Sequence, residues 1–110
     1  VATSANITET ALTSASTVTW DAKAKANATL VPGANLTIGS PSNSIEGAII
    51  QIEIAMNGTA RTIAWHTVFE FAASTAAVAT ATANKTDIFT FRYNGSVWQE
   101  IGRVQNMAQT

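Results

Sequence analysis

The chain has no cysteine, one histidine, one tyrosine and two prolines, and Asp, Glu, Lys and Arg together make up only 12% of its 110 residues. Each shortage excludes something. Without cysteine there is neither a disulfide framework nor thiolate ligation, and a lone histidine cannot complete the usual ligand sets, so no metal and no cofactor is expected. Six Lys and Arg, scattered and balanced to a net charge of -1, make no electrostatic footprint for nucleic acid. No apolar run approaches the about 20 residues that cross a membrane, since Gln51 and Glu53 interrupt the longest one. The opening residues VATSANITET have neither the basic start nor the apolar stretch of an export signal, so the expectation is a soluble protein made without export. A chain of 110 residues has room for one domain.

Reactive chemistry is equally sparse. His66 has no partner at motif spacing and reads as a surface or hydrogen-bonded residue. The carboxylates Asp21, Glu53, Glu70, Asp87 and Glu100 fall singly on different segments, with no spacing that pairs them for glycoside hydrolysis. There is no phosphate-cradling glycine loop and no nucleophile elbow. No catalytic residue is assigned, and the expectation is a protein that is not an enzyme.

What the sequence does contain is alternation. Ala48 to Trp65, AIIQIEIAMNGTARTIAW, carries Asn57-Gly58 between two alternating runs, the strongest short-range hairpin signal. A two-residue turn there predicts Met56 opposite Thr59, Ile54 opposite Arg61, Ile52 opposite Ile63 and Ile50 opposite Trp65. The apolar residues then share one face, and Gln51, Glu53, Ala55, Ala64 and His66 fall on the other. Asp87 to Tyr93 and Ser96 to Val104 flank a second Asn-Gly, Asn94-Gly95, and a tight turn there predicts Phe91 opposite Trp98. That register also sets Glu100 against Phe89, so a bulged three-residue loop is the alternative.

Shorter strands are expected at Thr17 to Asp21, Ala28 to Val31, Asn35 to Ile38 and His66 to Phe71, divided by Pro32-Gly33 and by the loop GSPSNSIEG. Ala72 to Ala83, almost all Ala and Thr, has no stripe of either period and reads as a close-packing loop with room for a short edge strand. Val1 to Ser16 reads as an extended arm, either a loose terminus or a segment that orders against a neighbouring subunit. The fold class expected is all-β: an antiparallel sandwich or jelly roll over residues 17–110, with two Asn-Gly hairpins and an N-terminal arm over residues 1–16.

Six N-x-S/T triplets, beginning at Asn6, Asn27, Asn35, Asn57, Asn84 and Asn94, are what a chain rich in Asn and Thr produces by chance. Trp20, Tyr93 and Trp98 could stack a sugar ring, but aromatics at strand period read first as core.

The pattern TVTWDAKAKANATL, a Gly/Pro/Ser loop, NGTARTIAWHTVFEF, an Ala/Thr loop and DIFTFRYNGSVWQEIG resembles a small β domain of tailed-bacteriophage structural proteins. Its marks are Trp20-Asp21, Arg61 to Trp65, Phe69, Asp87 to Phe91 and Asn94-Gly95, and the resemblance runs from Thr17 to Met107. In length and β content the chain is also similar to the capsid decoration proteins of epsilon-fifteen-like short-tailed phages. That resemblance implies a non-enzymatic cement protein on the outer capsid surface of the virion, made in the bacterial host cytoplasm. Its partners would be the major capsid protein and itself, as a homodimer across a local two-fold axis or as a trimer.

On this reading the candidate partner contacts are Ile7 and Leu12 in the arm, Ala76 and Val78 in the Ala/Thr loop, and Met107 near the C-terminus. The alternative is a tail-fibre or receptor-binding tip that recognises host surface glycan. Its candidate contacts are His66, Glu70, Trp98 and Gln99.

Overall fold

The computed structural model describes residues 8–109, and these are all-β, with nine strands, one 3-10 turn and no α-helix. The chain runs back and forth between two sheets. Strands β1 (Thr10–Ala11), β3 (Asn27–Leu30) and β5 (Ile49–Ala55) lie side by side in one sheet, and β2 (Thr17–Val18), β4 (Leu36–Ile38) and β6 (Ile63–Trp65) in the other. Every pairing within these triplets is parallel, for example Ala11↔Thr29↔Glu53 in the first sheet and Val18↔Ile38↔Trp65 in the second. Each circuit therefore adds one strand to each sheet, and three circuits stack as a parallel coil. Gly39 sits where two circuits touch: a Cβ there would lie 3.0 Å from the Val18 carbonyl oxygen, tight enough that the neighbouring backbone would have to give way slightly.

The rest of the chain widens the first sheet. Strand β8 (Lys85–Tyr93) pairs antiparallel with β5, and β9 (Trp98–Ala108) pairs antiparallel with β8. Strand β7 (Phe69–Glu70) runs parallel to the start of β9, giving a six-stranded order of β1-β3-β5-β8-β9-β7. The two sheets enclose a single core in a sandwich-like arrangement.

Alternation decides what fills that core. From β5 the side chains of Ile50, Ile52 and Ile54 point inward, followed by Met56 just beyond the strand, and from β8 Phe89 and Phe91 join them. Val18, Leu36 and Ile38 close from the second sheet. Trp65, half-buried, packs against this core, its ring centroid 5.1 Å from that of Phe89, 5.3 Å from Phe71, 5.4 Å from Phe69 and 5.6 Å from Phe91. Edge-to-face contacts of this kind add to the area they bury. All three indole N–H groups find acceptors: Trp20 donates to the Lys25 carbonyl, Trp65 to that of Ala77, and Trp98 to the Ser44 hydroxyl.

Several expectations are corrected here. The hairpin at Asn57-Gly58 does not form. Both edges of β5 are taken, by β3 and β8, so the chain leaves the sheet after Ala55 and β6 pairs with β4 in the other layer. Ile52 and Ile63 do face one core, but from opposite sheets. At Asn94-Gly95 the strands are antiparallel, yet residues 94–97 make a four-residue loop and Tyr93, not Phe91, pairs with Trp98. The Asn94 Oδ1 accepts the amides of Ser96 and Val97, each at 2.9 Å, which lengthens the loop by two residues. Glu100 then pairs with Phe91 rather than Phe89, and bulges interrupt the ladder after Thr90 and around Asp87. The parallel coil replaces the antiparallel jelly-roll connectivity. Within the expected arm, Thr10 and Ala11 pair with β3 and the Leu12 amide donates to the Thr29 carbonyl at 2.7 Å. Residues 1–7 of the expected arm lie outside the described residues.

Candidate functional site

Three surfaces merit a chemical reading, and the first is a cleft beside β7. It measures about 390 Å³ and is lined by Phe69, Glu70, Phe71, Ser74 and Ala76. The local backbone explains the opening. After Phe71 the chain makes a 3-10 turn, Ala72–Ser74, in which Ala73 and Ser74 both have left-handed φ angles, 57° and 55°. Left-handed backbone costs an ordinary L-residue about 1 to 2 kcal/mol, so this wall is held against local preference. Its anchor is Glu100, whose Oε1 accepts the Ala72 amide at 3.4 Å and a 2.8 Å charged bond from Arg103. The Glu100 side chain is only 4% exposed, and its Oε2 has no partner among the described residues.

The second surface is the Ala/Thr loop. Ala77 and Ala79 are buried, and Val78 between them is 80% exposed. The loop is pinned on both sides. Gln105 donates to the Val78 carbonyl at 2.7 Å, and the Thr80 amide donates to Asp87 at 2.6 Å. Asp87 is the one charged residue among those described that is buried as a whole, at 2% exposure, and it also accepts from the Asn106 amide and the Gln105 amide group. Three donors on one carboxylate make it the joint between this loop and the β8–β9 bulge.

The third surface is the outer face of the six-stranded sheet, where Ile49 and Val104 are more than half exposed and Gln51, Glu53, Ile88 and Thr90 lie half-buried between them. A shallower groove of about 340 Å³ runs over the second sheet, bordered by Asn35, Thr37, Thr62 and Ala64 among others.

The sequence candidates distribute unevenly over these surfaces. Ala76 lines the cleft, Val78 projects beside it, and Met107 is half-buried opposite Thr86 at the end of β9. Leu12 is corrected: it is buried among the core side chains and leaves no face for a partner. Ile7 lies outside the described residues. Of the glycan candidates, Glu70 and Gln99 are register partners across β7 and β9, and Glu70 lines the cleft. Trp98 is also corrected, since it is wholly buried against Tyr93 with ring centroids 4.8 Å apart and cannot serve as a stacking platform. His66 is exposed in the turn before β7, with its Nδ1 accepting the Val68 amide at 2.9 Å, and it does not line the cleft.

Sequence reasoning missed Phe71 and Ser74, whose role depends on the left-handed turn, and Asp87, which stood as one of several scattered carboxylates. Among the described residues no three His, Asp or Glu side chains gather as a metal site. Asp21 serves the architecture. Its carboxylate accepts the amides of Lys23 and Ala24 and the Asn43 side chain, joining two corners of the coil. These bonds, the Ala24 amide first and Asn43 next, hold its pKa below the ordinary aspartate value.

Compared with protein-family models, with curated proteins and with solved structures, the chain matches none of them.

Proposed function

We propose that this chain is a non-enzymatic structural protein of a tailed-phage virion, a capsid decoration protein that binds the outside of the head and bridges major capsid protein subunits. The observation that carries the reading is the Val78 knob. An apolar side chain that stands 80% exposed between two buried alanines, on a loop tied down by Gln105 and Asp87, is already ordered for contact. Docking it into a pocket on the shell costs little further conformational entropy. The sequence resemblance to phage virion domains supplies the partner.

The test is a pelleting assay with mature heads that lack the protein. Wild-type chain should bind saturably in a copy number set by the head's symmetry, and Val78→Asp should abolish binding while melting like wild type. Undiminished binding by the variant would overturn the knob's role, and no binding by the wild type would overturn the capsid reading.

A second reading, a tail-fibre tip that takes host glycan, is favoured by the cleft, where an exposed carboxylate, a hydroxyl and an aromatic ring (Glu70, Ser74 and Phe71) meet in about 390 Å³. Sugar recognition uses such a mixture of rings and oriented polar groups. Binding to host cells that disappears on stripping the surface polysaccharide, and in Glu70→Ala, would establish this reading in place of the first.

A further inference from the structure

We infer that the outer face of the six-stranded sheet is a self-association surface, on which two copies of the chain pack face to face about a two-fold axis with Arg92 of each copy against Glu53 of the other. The resemblance to decoration proteins implies a dimer without saying which face makes it; the face and its charge pairing are argued from this chain alone and stand without the capsid reading.

The face is built by the residues that alternate with the core. Ile49 pairs with Arg92, Gln51 with Thr90 and Glu53 with Ile88, so the three rows lie in sequence across β5 and β8. Val104 extends the third row onto β9 beside Ile88. The first and third rows carry exposed apolar surface: Ile49 is 54% exposed and Val104 56%. The middle row is already satisfied, since the Thr90 hydroxyl donates to the Gln51 side-chain oxygen at 3.2 Å. Covering it therefore strands no polar group there.

Two charges on the face remain unpaired, and they have opposite signs. Neither Glu53 nor Arg92 has an ion pair or a side-chain hydrogen bond among the described residues, where the one salt bridge joins Arg103 to Glu100. Arg92 and Glu53 stand at opposite ends of the three rows, one strand apart, at a distance of about 14 Å from the usual strand rise and spacing. An axis parallel to the sheet and midway between them exchanges their positions. It sets each guanidinium over a carboxylate, twice, and brings the Gln51–Thr90 row to the centre. A surface with one acid and one base off the axis is complementary to its own copy, as a closed two-fold interface requires. A like-charged or wholly apolar face would have no such preference for itself.

Sedimentation equilibrium of the purified protein over a range of concentration, at low and at moderate salt, tests this. Wild type is expected to move reversibly between monomer and dimer, with a weaker dimer at the higher salt. Arg92→Glu and Glu53→Arg should each weaken the dimer at least about tenfold by placing like charges together, and the double variant should restore it. Ile49→Asp, at an exposed position that does not threaten folding, should also give monomer. Circular dichroism melts confirm that each variant is folded. A wild type that is monomeric throughout, or folded charge variants that dimerise unchanged, or a double variant that stays monomeric would overturn the inference. The assay contains no heads, so its outcome and that of the pelleting assay are separate.

Discussion

Asn57-Gly58 and Asn94-Gly95 begin in the same way. In each, the Asn side-chain oxygen accepts the amide two residues on, from Thr59 and from Ser96, both at 2.9 Å. They then part. Gly95 is left-handed, with φ of 102°, whereas Gly58 stays outside the left-handed region. Beyond Gly95 the chain meets the free edge of β8 and closes an antiparallel pair; beyond Gly58 it meets β5, whose two edges are already filled by β3 and β8. A turn signal chooses local geometry, and the edges left open by the rest of the fold choose the partner. The same contrast separates the two halves of the molecule, a parallel coil up to Trp65 and an extension after it whose two long strands, β8 and β9, pair antiparallel.

The strongest way to break the contrast is at the strand the halves share. Ile52 is wholly buried and pairs with Ala28 of the coil on one side and Phe89 of the extension on the other. Ile52→Asp is expected to cost more than about 4 kcal/mol and abolish the cooperative melt, because it buries an unpaired charge. A surviving loss of ellipticity in only one half would show that the halves fold separately.

Asp87→Ala acts on the extension alone. It strands the amides of Thr80 and Asn106, with an expected loss of about 3 kcal/mol in urea unfolding. Amide exchange should rise across residues 76–83 and leave β3 and β4 protected.

The two glycines compare the turns directly. Gly95→Ala forces a side chain into left-handed backbone and should cost about 1 kcal/mol or more, while Gly58→Ala should change stability by less than about 0.5 kcal/mol or raise it slightly. Equal effects on the melting midpoint would remove the distinction.

The smallest effect is read from the dependence of stability on pH. Asp21 has a lowered folded-state pKa, so it contributes stability above its unfolded value, about 3.8, and that contribution is lost as the pH falls through the lower folded value. Asp21→Asn should flatten this part of the stability-against-pH curve, lowering stability slightly at neutral pH and leaving it nearly unchanged in acid, where the wild type has already lost the contribution.

Much of the local order is legible in the sequence. The alternation of Ile50, Ile52 and Ile54 and of Phe89 and Phe91 marks β5 and β8 and their inward faces correctly, because burial on one side of a strand imposes period two. The absence of a helical stripe over Ala72 to Ala83 likewise agrees with a loop. What is not legible is pairing between distant segments. Thr10 meets Ala28 and Leu36 meets Ile63 through parallel contacts that no turn announces, so the coil leaves no local trace and Leu12 passes for part of an arm. At the candidate site, the sequence points to Glu70, Ala76 and Val78, while Phe71 and Ser74 enter the cleft only because Ala73 and Ser74 turn left-handed. Trp98 is core, as its place in an alternating strand suggests first; only its alternative as a sugar-stacking ring fails, because both roles share the same position in such a strand.

The three indoles tie separate loops to one interior: Trp20 holds the turn ending at Lys25, Trp65 the Ala/Thr loop at Ala77, and Trp98 the Gly/Pro/Ser loop at Ser44. The molecule therefore carries its own set of optical reporters. Replacing two tryptophans at a time with phenylalanine would leave emission that follows one loop, so detachment of each from the core could be timed separately as the chain meets a partner or unfolds.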